Sequence, residues 1–315
     1  MFATCAYLAL LTCLVAPALG TTYSQTDSFQ GSDFLSGFIH QAIADPTHGR
    51  VNYVDQATAV AQNLTYASSD TLILRADDTT VLSASDPGRN SVRLMSNNVY
   101  SNHVTIWNIR HMPEGCGTWP AVWEVGQDWP DQGEIDILEG VNDDGTDQAT
   151  LHTGSNCTVG GMRTMTGTST GDNCDVNATG NSGCGVKSND ASSYGPTFNA
   201  AGGGFYAMER SDAGVKVWFW SRNSGSIPSD VLSGATSVDT DDWGTPFADF
   251  PSTSCDMASH FGPHNIVINL TFCGDWAGAV FEADGCPGDC TTYVDENPGA
   301  FANAYFDVAW LRVFQ

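Results

Sequence analysis

An all-β chain is predicted, and within that class a sandwich of two antiparallel sheets, from three observations. Apolar residues alternate with period two over most of the sequence, the spacing of half-buried strands. Clusters of Gly, Asn, Asp, Ser and Pro interrupt that alternation at short intervals, as turns do. Helical spacing is confined to two pieces, 33–44 and 56–63, neither long enough to build an α/β layer. So many strands need closure or stacking to limit exposed edges, and stacking suits this length.

In chain order, residues 1–20 carry no charged side chain and hold an apolar run at 6–16, followed by the small residues of 16–20. This reads as a secretory signal peptide. Residues 21–315 are then expected to form a single catalytic β-sandwich domain of a secreted, extracellular protein. No later stretch is long and apolar enough to cross a membrane as a helix. Candidate strands are 71–75, 91–96, 103–112, 121–125, 133–140, 149–153, 204–210, 214–222, 264–272 and 305–314, with a hairpin turn at 211–214. The stretch 154–201 is rich in Gly, Ser, Thr and Asn, and reads as long loops pinned by disulfides.

Cys5 and Cys13 fall in the leader, leaving Cys116, Cys157, Cys174, Cys184, Cys255, Cys273, Cys286 and Cys290. An even number in a secreted chain favours disulfides, whose pairing the sequence does not reveal. Cys286 and Cys290 lack the CxxC spacing or the histidine of a zinc site, and no cofactor or metal is expected. Asn63, Asn156, Asn177 and Asn269 each begin an Asn-x-Thr sequon. The net charge of −25, from 36 acidic and 11 basic residues, repels phosphate backbones and anionic lipids. Nucleic acid and membrane surfaces are therefore excluded as partners, whereas a neutral polymer is not. A monomer is expected.

The segment Gly133-Glu134-Ile135-Asp136-Ile137-Leu138-Glu139-Gly140 places three carboxylates inside an apolar strand. In a regular strand Glu134 and Asp136 share a face and Glu139 points away. One extra residue, a β-bulge near Ile137 or Leu138, returns Glu139 to the first face. Two glutamates could then converge on one bond, as retaining glycosidases require, with Asp136 tuning the nucleophile by sharing a proton. The competing reading is an ordinary solvated strand face. Trp119, Trp123 and Trp129 lie just upstream and could stack on sugar rings, Trp129 being the most exposed by its polar context. His152 could bond Glu139 or a sugar hydroxyl, or be structural.

At these residues the chain resembles fungal members of glycoside hydrolase family sixteen, the laminarinase-like endo-1,3(4)-β-glucanases. The likeness rests on the octet 133–140, on His111-Met112-Pro113 leading to Cys116-Gly117-Thr118-Trp119-Pro120-Ala121, and on Asp45-Pro46-Thr47-His48-Gly49 with Tyr53-Val54-Asp55. Ser91-Val92-Arg93, Leu151-His152-Thr153 and the run from Asn269 to Trp276 extend it over nearly all of 21–315. The resemblance implies a β-jelly roll with a glucan in a cleft on the concave sheet. It also implies Glu134 as nucleophile, Asp136 as its electrostatic helper and Glu139 as general acid/base. Arg93, Trp119, Trp123, Trp129, His152 and Trp276 would be cleft residues. Asn108 and Arg110 stand where an acidic and a small or apolar residue are expected, which bears on nearby subsites. Some bacterial relatives hold a structural calcium, but Asp143, Asp144 and Asp147 read here as a solvated loop.

The expected function is retaining hydrolysis of β-1,3 or mixed β-1,3/1,4 glucans by double displacement. The alternatives are a transglycosylase using the same residues and a non-catalytic glucan-binding protein on the same scaffold.

Overall fold

The computed structural model describes residues 21–315, so the signal-peptide assignment to 1–20 lies outside the described residues. Two large antiparallel sheets dominate, as the alternation predicts. An eight-stranded sheet runs in the order Thr168–Ser169, Cys184–Lys187, Gln148–His152, Glu134–Glu139, Thr118–Gly126, His264–Phe272, Arg93–Tyr100, Phe38–His40. A nine-stranded sheet packs on it, with Thr22–Phe29, Tyr305–Phe314, His103–His111, Gly204–Ser211 and Gly214–Ser221 as consecutive neighbours. The hairpin appears where expected: Ser211 pairs with Gly214 across the two residues Asp212 and Ala213.

Alternation decides which side chains fill the space between the sheets. Val122, Ile135, Leu151, Ile266 and Ile268 point inward from the first sheet, meeting Trp107, Tyr206, Met208, Val217 and Val308 from the second. All of these are essentially without solvent contact. At about 1.5–3 kcal/mol for each large apolar side chain, this burial is the main force holding the two layers together.

Several boundaries depart from the sequence reading. The expected helix 33–44 is one turn, Asp33–Gly37, followed by the edge strand Phe38–His40. Phe34 and Phe38 both insert into the core, and a Cβ on Gly37 would lie 2.3 Å from the Phe29 ring, so packing overrides the helical spacing. The second helix, Gln56–Ala61, forms as expected, capped by the Asp55 carboxylate on the Thr58 N–H at 2.8 Å. The expected strand 91–96 is divided: Arg89–Ser91 pairs in parallel with Val51–Tyr53, and Arg93–Tyr100 joins the large sheet. Within 154–201, expected as loops, Cys184–Lys187 adds a full strand beside Gln148–His152.

The eight cysteines form four disulfides, Cys116–Cys286, Cys157–Cys255, Cys174–Cys184 and Cys273–Cys290. Cys174–Cys184 closes a short loop at the rim of the eight-stranded sheet. Cys273–Cys290 ties the end of His264–Phe272 to the helix Cys290–Glu296.

Candidate active site

The strand Glu134–Glu139 contains the bulge that its sequence demands. Against Thr118–Gly126, Asp136 faces Trp123 and Leu138 faces Val122, so Ile137 is the extra residue. Ile137 and Leu138 are consequently both fully buried, and Glu139 comes back to the face of Glu134 and Asp136. The glycines at each end of the octet are required by space. A Cβ on Gly133, at φ +76°, would lie 2.5 Å from the Phe261 ring, and one on Gly140 would lie 2.6 Å from the Tyr194 ring.

All three carboxyls line one cleft of about 810 Å³ on the eight-stranded sheet. Burial, reinforced by the neighbouring Asp136 charge, pushes Glu134 up to about 8 and Glu139 up to about 8. Burial likewise raises Asp136 to about 8, against the opposing effect of its hydrogen bond with Glu134. The Asp136 charge raises both glutamates and the Glu139 charge raises Glu134, so the trio loses its protons in successive shared steps. The Trp119 indole N–H donates to Glu139 Oε1 at 2.8 Å, fixing that carboxyl and favouring its ionised form.

The cleft gathers every expected site residue. Trp119 and Trp123 are half-buried on its floor, and Trp129, 44% exposed, stands free at its edge. Trp276, on a π-helical turn, meets Trp119 edge to face at 5.7 Å. The Arg93 guanidinium lies 4.7 Å over the Trp123 ring. His152 also lines the cleft, but its neighbour is Asp136 rather than Glu139: Nε2 approaches Asp136 Oδ2 to 3.3 Å. The register explains this, because His152 pairs directly across from Glu134 and reaches the next residue on that face diagonally.

Two sequence readings are corrected here, and one sequon is placed. Asn108 and Arg110 have no bearing on the subsites: they lie on the nine-stranded sheet, bonded to Arg222 and Asp307. Asp147 does not belong to a solvated loop but is fully buried, accepting the Glu139 N–H. The Asn269 sequon is closed off in the folded protein, since its side chain is buried in the cleft floor between the Trp123 indole and the Tyr53 hydroxyl. Asn63, Asn156 and Asn177 are exposed. Gln148, Thr150 and Lys187 on one side of the trio and Asp45 and Thr271 on the other complete the cleft walls. Asp45 and Thr271 fall in the stretches 45–49 and 269–276 that carry the family likeness, whereas no motif marks Gln148, Thr150 or Lys187, which enter through the pairing of Gln148–His152 with Glu134–Glu139 and with Cys184–Lys187.

Among the described residues, Glu134, Asp136 and His152 could hold a metal ion, their donor atoms lying within 4.8 Å of one another. The same three groups line the cleft beside Glu139.

Comparison with known proteins agrees with this geometry. The profile described as "XgeA-like, catalytic GH16 domain" matches residues 38–314. In sequence the chain is 43% identical over 298 residues to a probable glycosidase of Schizosaccharomyces pombe, covering 93% of this chain and 70% of that protein. It is 40% identical over 305 residues to the endo-1,3(4)-beta-glucanase xgeA of Emericella nidulans, covering 94% of this chain and 48% of that one. The chain thus spans about half the length of the Aspergillus and Emericella relatives it matches. Among solved structures it is similar to GH16 Laminarinase 16A from Phanerochaete chrysosporium, described with two 6-O-glucosyl-laminaritriose β-glucans in donor and acceptor sites. The TM-score is 0.93 and the identity 62%, over 94% of this chain and 100% of that one. An elongating GH family 16 β-1,3-glucosyltransferase is similar at TM-score 0.87 and 40% identity, over 93% of this chain and 100% of that one. With sheet order, bulged carboxylate strand and sequence in agreement, this chain belongs to glycoside hydrolase family 16, in its XgeA-like group.

Proposed function

We propose that this chain is a secreted, monomeric endo-glycosidase, one catalytic domain over 21–315 behind a leader at 1–20, that cleaves β-1,3 or mixed β-1,3/1,4 glucans by double displacement. The observation that carries the reading is the register shift between Asp136 and Leu138, which aims Glu134, Asp136 and Glu139 into one cleft. A neutral polysaccharide suits a chain this acidic, and Trp119, Trp123, Trp129 and Trp276 offer flat apolar faces to its rings.

Glu139, kept protonated by burial, donates its proton to the glycosidic oxygen as the C1–O bond breaks. Glu134 attacks C1 and forms a glycosyl ester. Asp136, hydrogen-bonded to Glu134, shares a proton with it, so that one negative charge serves the pair and is available to the attacking oxygen. Glu139, now ionised, takes a proton from water, the water oxygen attacks C1, and the ester bond returns its electrons to Glu134.

Incubation with laminarin, lichenan and barley glucan tests the reading. The wild type is expected to release oligosaccharides from one or more of them. Glu134→Gln is expected to lose roughly ten-thousandfold in kcat while its oligosaccharide Kd changes by less than about threefold. Undiminished hydrolysis by folded Glu134→Gln removes the reading. Transglycosylation is the second reading, favoured by the similarity to the elongating glucosyltransferase. Products longer than a defined starting oligosaccharide, seen by mass spectrometry, would establish it.

A further inference from the structure

Past its bulge the catalytic strand keeps a ladder partner on one side only. It pairs with Thr118–Gly126 as far as Glu139, but with Gln148–His152 only from Glu134 to Asp136. The Glu139 N–H is therefore left without a strand carbonyl on the second side, and a buried amide with no acceptor costs roughly 1–3 kcal/mol. Asp147, the residue just before Gln148–His152, supplies the missing acceptor: its Oδ1 takes the Glu139 N–H at 2.9 Å.

Further contacts fix this corner. The Asp147 N–H donates to Ser193 Oγ at 3.1 Å, and the Tyr194 ring leaves no room for a Cβ on Gly140. From the cleft side, Trp119 holds the Glu139 carboxyl at 2.8 Å. Glu139 is thus gripped at its backbone from behind and at its side chain from in front. The carboxyl doing the rear work is fully buried, and its other oxygen, Oδ2, meets no donor among the described residues. Closing a loop does not call for such a group, because an apolar residue would avoid the cost of burying it.

We propose that Asp147 is a positioning residue for Glu139, setting through the Glu139 backbone the depth and angle at which the acid meets the glycosidic oxygen. The inference rests on the reading of Glu139 as acid/base. Misplacing a catalytic group by about an ångström costs on the order of a hundredfold in rate.

The test compares two substrates whose need for the acid differs. A laminarin oligosaccharide has a poor leaving group and needs protonation by Glu139. The 2,4-dinitrophenyl β-glycoside of laminaribiose leaves unaided, so its kcat/KM reports the first step without the acid. Asp147→Ala is expected to lose roughly tenfold to a hundredfold in kcat/KM on the oligosaccharide, and to stay within about threefold of wild type on the dinitrophenyl glycoside. Asp147→Asn, which keeps an oxygen for the Glu139 N–H, is expected to recover most of the oligosaccharide rate. If Asp147→Ala does not fold, Asp147→Ser, too short to reach that N–H, is read for the same split. Equal losses on both substrates, or none on either, overturn the proposal. Glu139→Gln is the control: if it retains full activity on the oligosaccharide, the acid/base reading fails and the role of Asp147 falls with it.

Discussion

Glu124 and the trio Glu134, Asp136 and Glu139 lie on adjacent strands of one sheet, yet face opposite worlds. Glu124, paired in register with Ile135, points between the sheets with no solvent exposure. There the His103 ring, equally buried on the opposite sheet, meets its Oε1 at 3.0 Å. The Arg210 and His264 side chains stand close enough to feel its charge. The trio on the other face is buried too, but its strongest neighbours after desolvation are its own carboxyls. Burial alone does not make a reactive acid. What separates the two regions is the neighbourhood: the interior carboxyl meets a buried histidine and lies within reach of Arg210, whereas the cleft glutamates are crowded by Asp136, which raises their affinity for protons toward neutrality.

The largest effect that could break this comparison is expected at Glu124. Glu124→Gln removes the charge that the buried His103 ring meets and that Arg210 feels, and is expected to cost roughly 3–5 kcal/mol of stability. Calorimetric unfolding reads that loss, and well below the new Tm hydrolysis is expected to stay within about threefold of wild type. A variant of unchanged stability, or one that is stable but inactive, would contradict the division of labour.

An effect of opposite sign is expected at Glu134. Its carboxyl titrates at about 8 in the folded protein against 4.5 as the ordinary value. The folded state therefore holds a proton that the unfolded state has released between those limits, and stability falls as pH rises through that window. Glu134→Gln removes the penalty. It is expected to raise stability at pH 8 and to do little at pH 4. A variant destabilised at both pH values would show that this carboxyl is compensated after all.

The sequence legibility of the fold follows the same physical division. His264–Phe272 and Tyr305–Phe314 are readable because each is a short run rich in β-branched and aromatic residues, the first buried on both faces and the second alternating over most of its length. Thr22–Phe29 was missed because its inward positions carry Tyr23, Gln25 and Asp27, so no apolar alternation marks it. The catalytic bulge was legible because three carboxylates in an apolar strand make sense on one face only. Asp147 was not, since Asp-rich loops are normally solvated and only the lost ladder partner of Glu139 explains its burial. The His152 partner and the cysteine pairings depend on register and on three-dimensional proximity, which no local spacing encodes.

Trapping the glycosyl-enzyme ester tests the central claim most directly. Incubation with a 2-deoxy-2-fluoro laminaribiosyl fluoride, followed by proteolysis and mass spectrometry, is expected to place one fluorosugar on Glu134, in the peptide that also carries Asp136 and Glu139, with fragmentation assigning the residue. A label on Glu139 or Asp136, or inactivation with no covalent sugar, would contradict the account.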